Sequence, residues 1–411
     1  IRGRPDAFIK GYSRRNGQFM RNFYWSQPAY DISRHLLKPE EDWMLPIDHP
    51  DVLALQEELK RVLRFWMDMG ADGFRADMAG ALVKTANITG NDQFFNTHED
   101  GTKIFWSKIR EILDTEYPGS FMVAEWSHPK SALDGGGFHA DFYHWFHGYH
   151  DLLQKESWRI LNGHSEGHSY FDKQGKGNIT NFLASYMDQY KKTVGHGYIN
   201  LPLGNHDLSR LNIKRSTDDL EAIYAFNLTM PGIPFIFYGN EIGMRQLYGL
   251  PYVEGAYKPR AGGRTPMQWD DGINRGFSTA DPDQLYLPVD TADDAPNVKD
   301  QETDPNSLLN RVRRLIELKK SEPAFTAYAE FVPVYAVENE YPFIYARANG
   351  DDMALVVLNP REKAADAEFD LKPAVSQLIL LAGNEIKIKR NGTSYNLSIP
   401  GRSYAIYKMI K

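Results

Sequence analysis

Gly73-Phe74-Arg75-Ala76-Asp77 is the stretch on which the fold of this chain turns. It ends a short apolar run, and it follows a segment with helical spacing. Side chains alternate faces along a strand, so Arg75 and Asp77 point one way and Phe74 and Ala76 the other, towards covering helices. A guanidinium within a few Å of a carboxylate favours the ionised form. That is the state a nucleophilic carboxylate needs at neutral pH. On its own, such a pair is equally a structural Arg–Asp contact.

Two more strand ends share the construction. Glu125 closes the run Phe121-Met122-Val123-Ala124 and precedes Trp126. A carboxyl beside a large apolar ring is poorly solvated, which raises its pKa and keeps the proton that a general acid gives away. Asp77 and Glu125 therefore divide the roles of a retaining glycosidase, nucleophile and acid/base. In Gly204-Asn205-His206-Asp207 the acid sits at the mouth of another strand. Asp207 is suited to sugar hydroxyls and to the positive charge of an oxocarbenium-like transition state, and His206 to a hydrogen bond with the same sugar. One acidic residue at a strand-to-loop boundary is commonplace. Three in this order point to a site that breaks a glycosidic bond.

These three segments resemble three of the four signature regions of the α-amylase family of glycoside hydrolases. Their order, with gaps of about fifty to eighty residues, suits a (β/α)₈ TIM barrel in which a strand and a helix separate successive motifs. Phe23–Asp31 resembles the family's segment leading from the inserted domain into the barrel. Gly232–Gly243 resembles its eighth strand and following loop. Arg264-Thr265-Pro266-Met267-Gln268-Trp269-Asp270 is similar to a stretch of the α-glucosidase, oligo-1,6-glucosidase and trehalose synthase branch. The resemblance implies Asp77 as nucleophile, Glu125 as general acid/base and Asp207 as transition-state stabiliser. It implies substrate contacts for Arg75, Asn205, His206 and Arg264.

Two departures stand out. Many α-amylases carry Lys-His three and four residues after the nucleophile, against the leaving sugar; here those places hold Gly80 and Ala81. That favours the glucosidase-like branch. The family's first signature region is not found, and strands are expected only near 71–77, 121–125, 139–143, 199–203 and 233–238. The expectation is a barrel whose first strands are missing from this chain, with the N-terminal part of the barrel as a partner. Intact mass tests a nicked complex, which a single species at 47.0 kDa excludes.

The expected organisation is the end of an inserted domain over 1–50, a partial catalytic barrel over 51–329 and a C-terminal antiparallel β-sandwich over 330–411. Helices are expected over 51–69, 103–113, 181–194, 215–230 and 306–320. The first has Val52, Leu53, Leu55, Leu59, Val62, Leu63 and Trp66 on its apolar face, with Asp48 as its cap and Pro50 in its first turn. Residues 240–304 read as a long loop over the barrel mouth, from which Arg264 reaches the sugar or fastens the loop. Beyond 330, β-rich runs alternate with turns such as Asn349-Gly350 and Asn391-Gly392.

Composition fits a soluble enzyme, with 42% hydrophobic and 25% charged residues, near globular averages. The net charge is −7 and no basic run stands out, which argues against nucleic acid. No stretch approaches a membrane span. Cysteine is absent, so disulfides, thiolate metal sites and thiol catalysis are excluded. His139, His144, His147 and His150 read as strand-end and surface histidines rather than a metal cluster, and Asp290–Asp304 lacks an EF-hand pattern. No cofactor is expected from these residues. The resemblance leaves calcium possible, because some relatives bind it near the N-terminal units, outside what this sequence spells. The expected ligand is an oligosaccharide or polysaccharide. The compartment is left open.

Overall fold

Helix α1 (Pro50–Asp68) forms where the apolar spacing predicts it. The computed structural model describes residues 8–10, 18–20, 48–83, 99–145, 147–157, 167–253, 255–256, 259–372 and 375–411; the Phe23–Asp31 stretch lies outside them. The cap of α1 is His49 rather than Asp48: its Nδ1 accepts the Asp51 N–H at 3.2 Å. Pro50 takes the first helical place, where a missing N–H costs nothing. Val52 is buried, Leu55, Leu59 and Leu63 are half-buried, and Leu53, Val62 and Trp66 are exposed.

The chain divides into two compact units, Ile1–Phe142 and Tyr143–Lys411. In the first, β1 (Phe8–Lys10) pairs antiparallel with β2 (Gln18–Met20). Strands β3 (Gly73–Ala76), β4 (Phe121–Ala124) and β5 (Ala140–Phe142) are parallel, with Ala76 opposite Ala124 and Ala124 opposite Asp141. Parallel pairing brings their C-terminal ends to one edge, so the segments after Ala76 and Ala124 emerge side by side. Gly73 permits the approach: at φ +153° its missing Cβ would lie 1.8 Å from the Phe121 carbonyl oxygen. Helix α2 (Glu99–Glu116) is tied to α1 by Arg64–Glu116 at 2.6 Å, and Tyr117 bonds Asp68 at 2.7 Å.

The second unit contains α3 (Ile179–Thr193), β6 (Tyr198–Asn200), α4 (Thr217–Thr229) and α5 (Leu308–Ser321). Each helix starts on a polar cap, Asn178, Ser216 or Ser307, which satisfies end amides that lack a helical partner. The strand expected at 233–238 is not a regular strand. It makes one parallel bridge, Phe235 to Pro202. Pro234 has no N–H to give a ladder, and the Ile233 N–H goes to Asn200 Oδ1 at 3.3 Å. Expected loop 240–304 holds short helices at Pro259–Gly263 and Val298–Thr303.

From residue 330 the strands are β7 (Glu330–Tyr335), β8 (Phe343–Asn349), β9 (Asp352–Asn359), β10 (Ala365–Asp370), β11 (Gln377–Gly383), β12 (Lys387–Asn391), β13 (Ser394–Ile399) and β14 (Ser403–Ile410). They form antiparallel sheets of order β11-β14-β9-β8-β7 and β10-β13-β12. Strand β10 alternates strictly, with Ala365, Ala367 and Phe369 buried and Asp366, Glu368 and Asp370 exposed. Among the described residues no helix is long and apolar enough to cross a membrane.

Candidate active site

Two clusters of candidate residues form, one in each unit. In the first, Arg75 reaches from β3 to both carboxyls that follow the strand ends. Its Nη1 lies 2.6 Å from Asp77 Oδ1 and its Nη2 2.8 Å from Glu125 Oε2. The Glu125 backbone is fixed by its N–H to Ala76 O at 2.9 Å and by Ala79 N–H to its own carbonyl at 3.1 Å. Met78 N–H adds a bond to Glu125 Oε2 at 3.2 Å.

The two carboxyls sit in opposite environments. The Asp77 side chain is 72% exposed and that of Glu125 only 8%. Burial pushes Glu125 up to about 7, against the lowering pull of Arg75 and the Met78 amide, with Asp77 adding a further upward push. The physical cause is burial at the strand end. Trp126 meanwhile packs on Gly80: a Cβ there would lie 2.2 Å from the indole Nε1. A side chain at residue 80 would therefore require the indole or the turn to shift.

Sequence reasoning missed Asp141. It is fully buried on β5 and accepts the N–H groups of Trp126, Ser127 and His128 at 2.9, 3.2 and 2.8 Å. Burial pushes it up to about 7 against those amides, which favour its charge. The available signal was an acidic residue inside an apolar strand, a placement that demands partners.

In the second unit, Asn205 Oδ1 accepts the N–H groups of Asp207 and Leu208 at 2.8 and 2.9 Å, a turn that fixes the Asp207 backbone. Asn205 thus acts on the loop. Asp207 Oδ1 lies 3.0 Å from Arg264 Nη2, 3.0 Å from Arg260 Nε and 3.6 Å from His206 Nε2. Arg264 also donates to His206 O at 2.7 Å and Gly255 O at 3.0 Å. It is both a loop fastener and the partner of Asp207. Arg260 was missed, because only the turn of its short helix brings it to Asp207. A cavity of about 480 Å³ adjoins Arg264, lined by Tyr238, Trp269, Phe277, Tyr286 and Leu287 among others.

His139 belongs to the sheet: its Nδ1 accepts the Met122 N–H at 3.0 Å, and its ring stacks on Phe121 at 5.2 Å. The side chain of His147 lies outside the described residues. Elsewhere, Glu156, His168 and Asp172 bring ligand-type atoms within 4.8 Å of one another. Those atoms have protein partners. His168 pairs with Asp172, and Glu156 accepts the Ser169 N–H at 2.7 Å and its hydroxyl at 2.6 Å.

These features define two arginine-bound carboxyl clusters, one of them at the ends of parallel strands. Residues 45–328 match the model of the alpha amylase catalytic domain; the chain belongs to the alpha-amylase family. It is similar to the trehalose synthase/amylase TreS of Mycobacterium tuberculosis, at 27% identity over 95% of this chain and 65% of that protein. It is similar to the oligo-1,6-glucosidase of Parageobacillus thermoglucosidasius, at 24% identity over 79% of this chain and 62% of that one. The chain thus spans somewhat under two thirds of the length of these relatives. Among solved structures it resembles isomaltulose synthase from Erwinia rhapontici NX5, with a TM-score of 0.72 and 21% identity over 98% of this chain and 74% of that one. The family architecture, a (β/α)₈ barrel followed by an antiparallel β domain, accounts for the parallel strands and the antiparallel sheets.

Proposed function

We propose that the chain carries the machinery of a retaining α-glycosidase that cleaves α-glucosidic bonds in α-glucans or malto-oligosaccharides through a covalent glycosyl-enzyme. Asp77 is the nucleophile, Glu125 the general acid/base and Asp207 the transition-state stabiliser. Arg75, Asn205, His206 and Arg264 bind the substrate or hold what does. Residues 51–329 act as the catalytic barrel segment and 330–411 as its appended module.

The observation that carries this reading is the contrast around Arg75. One guanidinium holds an exposed carboxyl and a buried one whose pKa is pushed up to about 7. Asp77 is accessible to an anomeric carbon, and Glu125 keeps a proton for the departing oxygen.

A second reading replaces water by a sugar hydroxyl as acceptor, giving a transglycosylase or isomerase. It is supported by the Gly80–Trp126 packing on the leaving-group side, where many hydrolases carry Lys-His. Product analysis on maltotriose, isomaltose and sucrose, followed by NMR of the anomeric proton, separates the two. First release of an α-anomer supports retaining hydrolysis. A new disaccharide without free glucose supports the second reading. No turnover of any of the three overturns both.

A further inference from the structure

Asp141 has so far been given no part in the chemistry, yet it is one of the most constrained carboxyls in the molecule. It shows no accessible surface. Its Oδ1 accepts from Trp126 and Ser127, and its Oδ2 from His128. Three consecutive amides converging on one carboxylate form an anion nest. Ser127 sits at φ +55°, in the left-handed region, a conformation with a small cost outside glycine. The same tripeptide begins one residue after Glu125.

We propose that Asp141 is a positioning residue for the acid/base: by gathering the amides of residues 126–128 it holds Glu125 against Arg75 and the Trp126 indole over Gly80. This rests on the role proposed for Glu125. The main chain of Glu125 is then held on both sides, by Ala76 and Ala79 directly and by β5 through the nest. A proton donor must stay within hydrogen-bond reach of the departing oxygen. A displacement of about 1 Å can cost on the order of 10²-fold in rate.

The test is Asp141→Asn in the full chain. The amide oxygen can keep two of the three bonds, but its NH₂ then faces the His128 N–H, donor against donor. Maltose, whose leaving sugar needs a proton, is compared with α-glucosyl fluoride, whose leaving group needs little help. The expected result is a kcat/KM for maltose lower by on the order of 10²-fold, with the fluoride changed by no more than about 3-fold. The ratio of the two substrates is insensitive to partial unfolding, so a merely structural role would lower both together. Equal losses, or no loss on either, overturn the proposal.

A second arm does not depend on turnover. Carboxyl ¹³C NMR follows the titration of Glu125, assigned with Glu125→Gln. Among the described residues, the groups facing Glu125 include Arg75, Asp77 and the Met78 amide. In the wild type, burial pushes Glu125 up to about 7, so its carboxyl signal is expected to move there. In Asp141→Asn, Glu125 regains water and titrates closer to the ordinary carboxylate range. Asp141→Glu keeps the charge but displaces the nest, so it shifts Glu125 in the same sense. Unchanged titration in both variants overturns the proposal. An inert wild type counts against the proposed function and leaves this arm to decide the role of Asp141.

Discussion

The clusters around Asp77 and Asp207 use arginine in opposite ways. In the first unit one guanidinium serves two carboxyls, and Asp77 keeps a side chain 72% exposed. In the second, two guanidiniums serve one carboxyl, whose side chain is 12% exposed. A nucleophile must move towards carbon and form a bond, so it is left open to the substrate. A group that only stabilises charge works best when it is fixed in advance. The contrast is in keeping with the bond-forming role proposed for Asp77 and the electrostatic role proposed for Asp207.

The strongest test is Asp77→Asn. An amide cannot form the glycosyl ester, so turnover falls by at least about 10⁴-fold, on the scale of nucleophile removal in other covalent enzymes, while equilibrium dialysis shows that maltose still binds. Residual turnover within about tenfold of wild type would refute the nucleophile assignment. Glu125→Gln comes next, with a loss of about 10²–10⁴-fold on unactivated substrates. In the wild type the acid form is active, so the rate falls as pH rises through about 7, and the variant loses that limb. Stability follows the same sign. The folded state holds this proton more tightly than an ordinary carboxyl does. Its contribution is full below the ordinary value of 4.5 and is lost as pH rises through about 7. Urea midpoints at pH 5 and pH 8 should therefore lie closer together in Glu125→Gln. An unaltered gap would show that Glu125 does not carry the proton.

The sequence reported the ends of β3 and β4, because apolar runs that stop at an acid are a local signal. Helices α1 to α5 were legible for a similar reason, since the spacing of their apolar residues survives in the chain itself. The end cap was not: His49 and Asp48 are neighbours, and only the backbone turn decides which one reaches the Asp51 amide. Strand 233–238 failed because its apolar content reads as β, while Pro234 removes a donor. In the site, Arg75, Asp77 and Glu125 were legible. Arg260 and Asp141 were not, because their contacts depend on how the segments at 205–207 and 126–128 fold back onto them.

Arg264→Ala probes the second half of the contrast. It removes one of two guanidiniums from Asp207 and releases the His206 and Gly255 carbonyls. The expected loss in kcat/KM is about 10–10²-fold, through displacement of a group that must be fixed. Arg260→Ala removes the other guanidinium from Asp207 but leaves the Arg264 bonds to the His206 and Gly255 carbonyls in place, so its loss should be smaller. If both variants fall equally, charge alone matters. If Arg264→Ala is the milder of the two, the loop-fastening argument fails. Steady-state kinetics on one substrate, with circular dichroism to check folding, decides.

The smallest effect sharpens the first half. Gly80→Ala places a methyl 2.2 Å from the Trp126 indole nitrogen in the present arrangement. Either the ring or the Met78–Ala81 turn must yield, at a cost of about 1–3 kcal/mol for overpacking. Asp77 sits at the start of that turn and Glu125 beside the indole, so the methyl pushes on both carboxyls at once. The less constrained one should give. Asp77 has open space around its side chain, whereas Glu125 is tied by its backbone, by Arg75 and by the Met78 amide. The pH limb near 7 should then stay in place while kcat falls modestly, by about 2–10-fold. A limb displaced to lower pH would mean instead that Trp126 moved and took Glu125 with it. That outcome would make the indole, rather than the strand end, the element that keeps the acid dry.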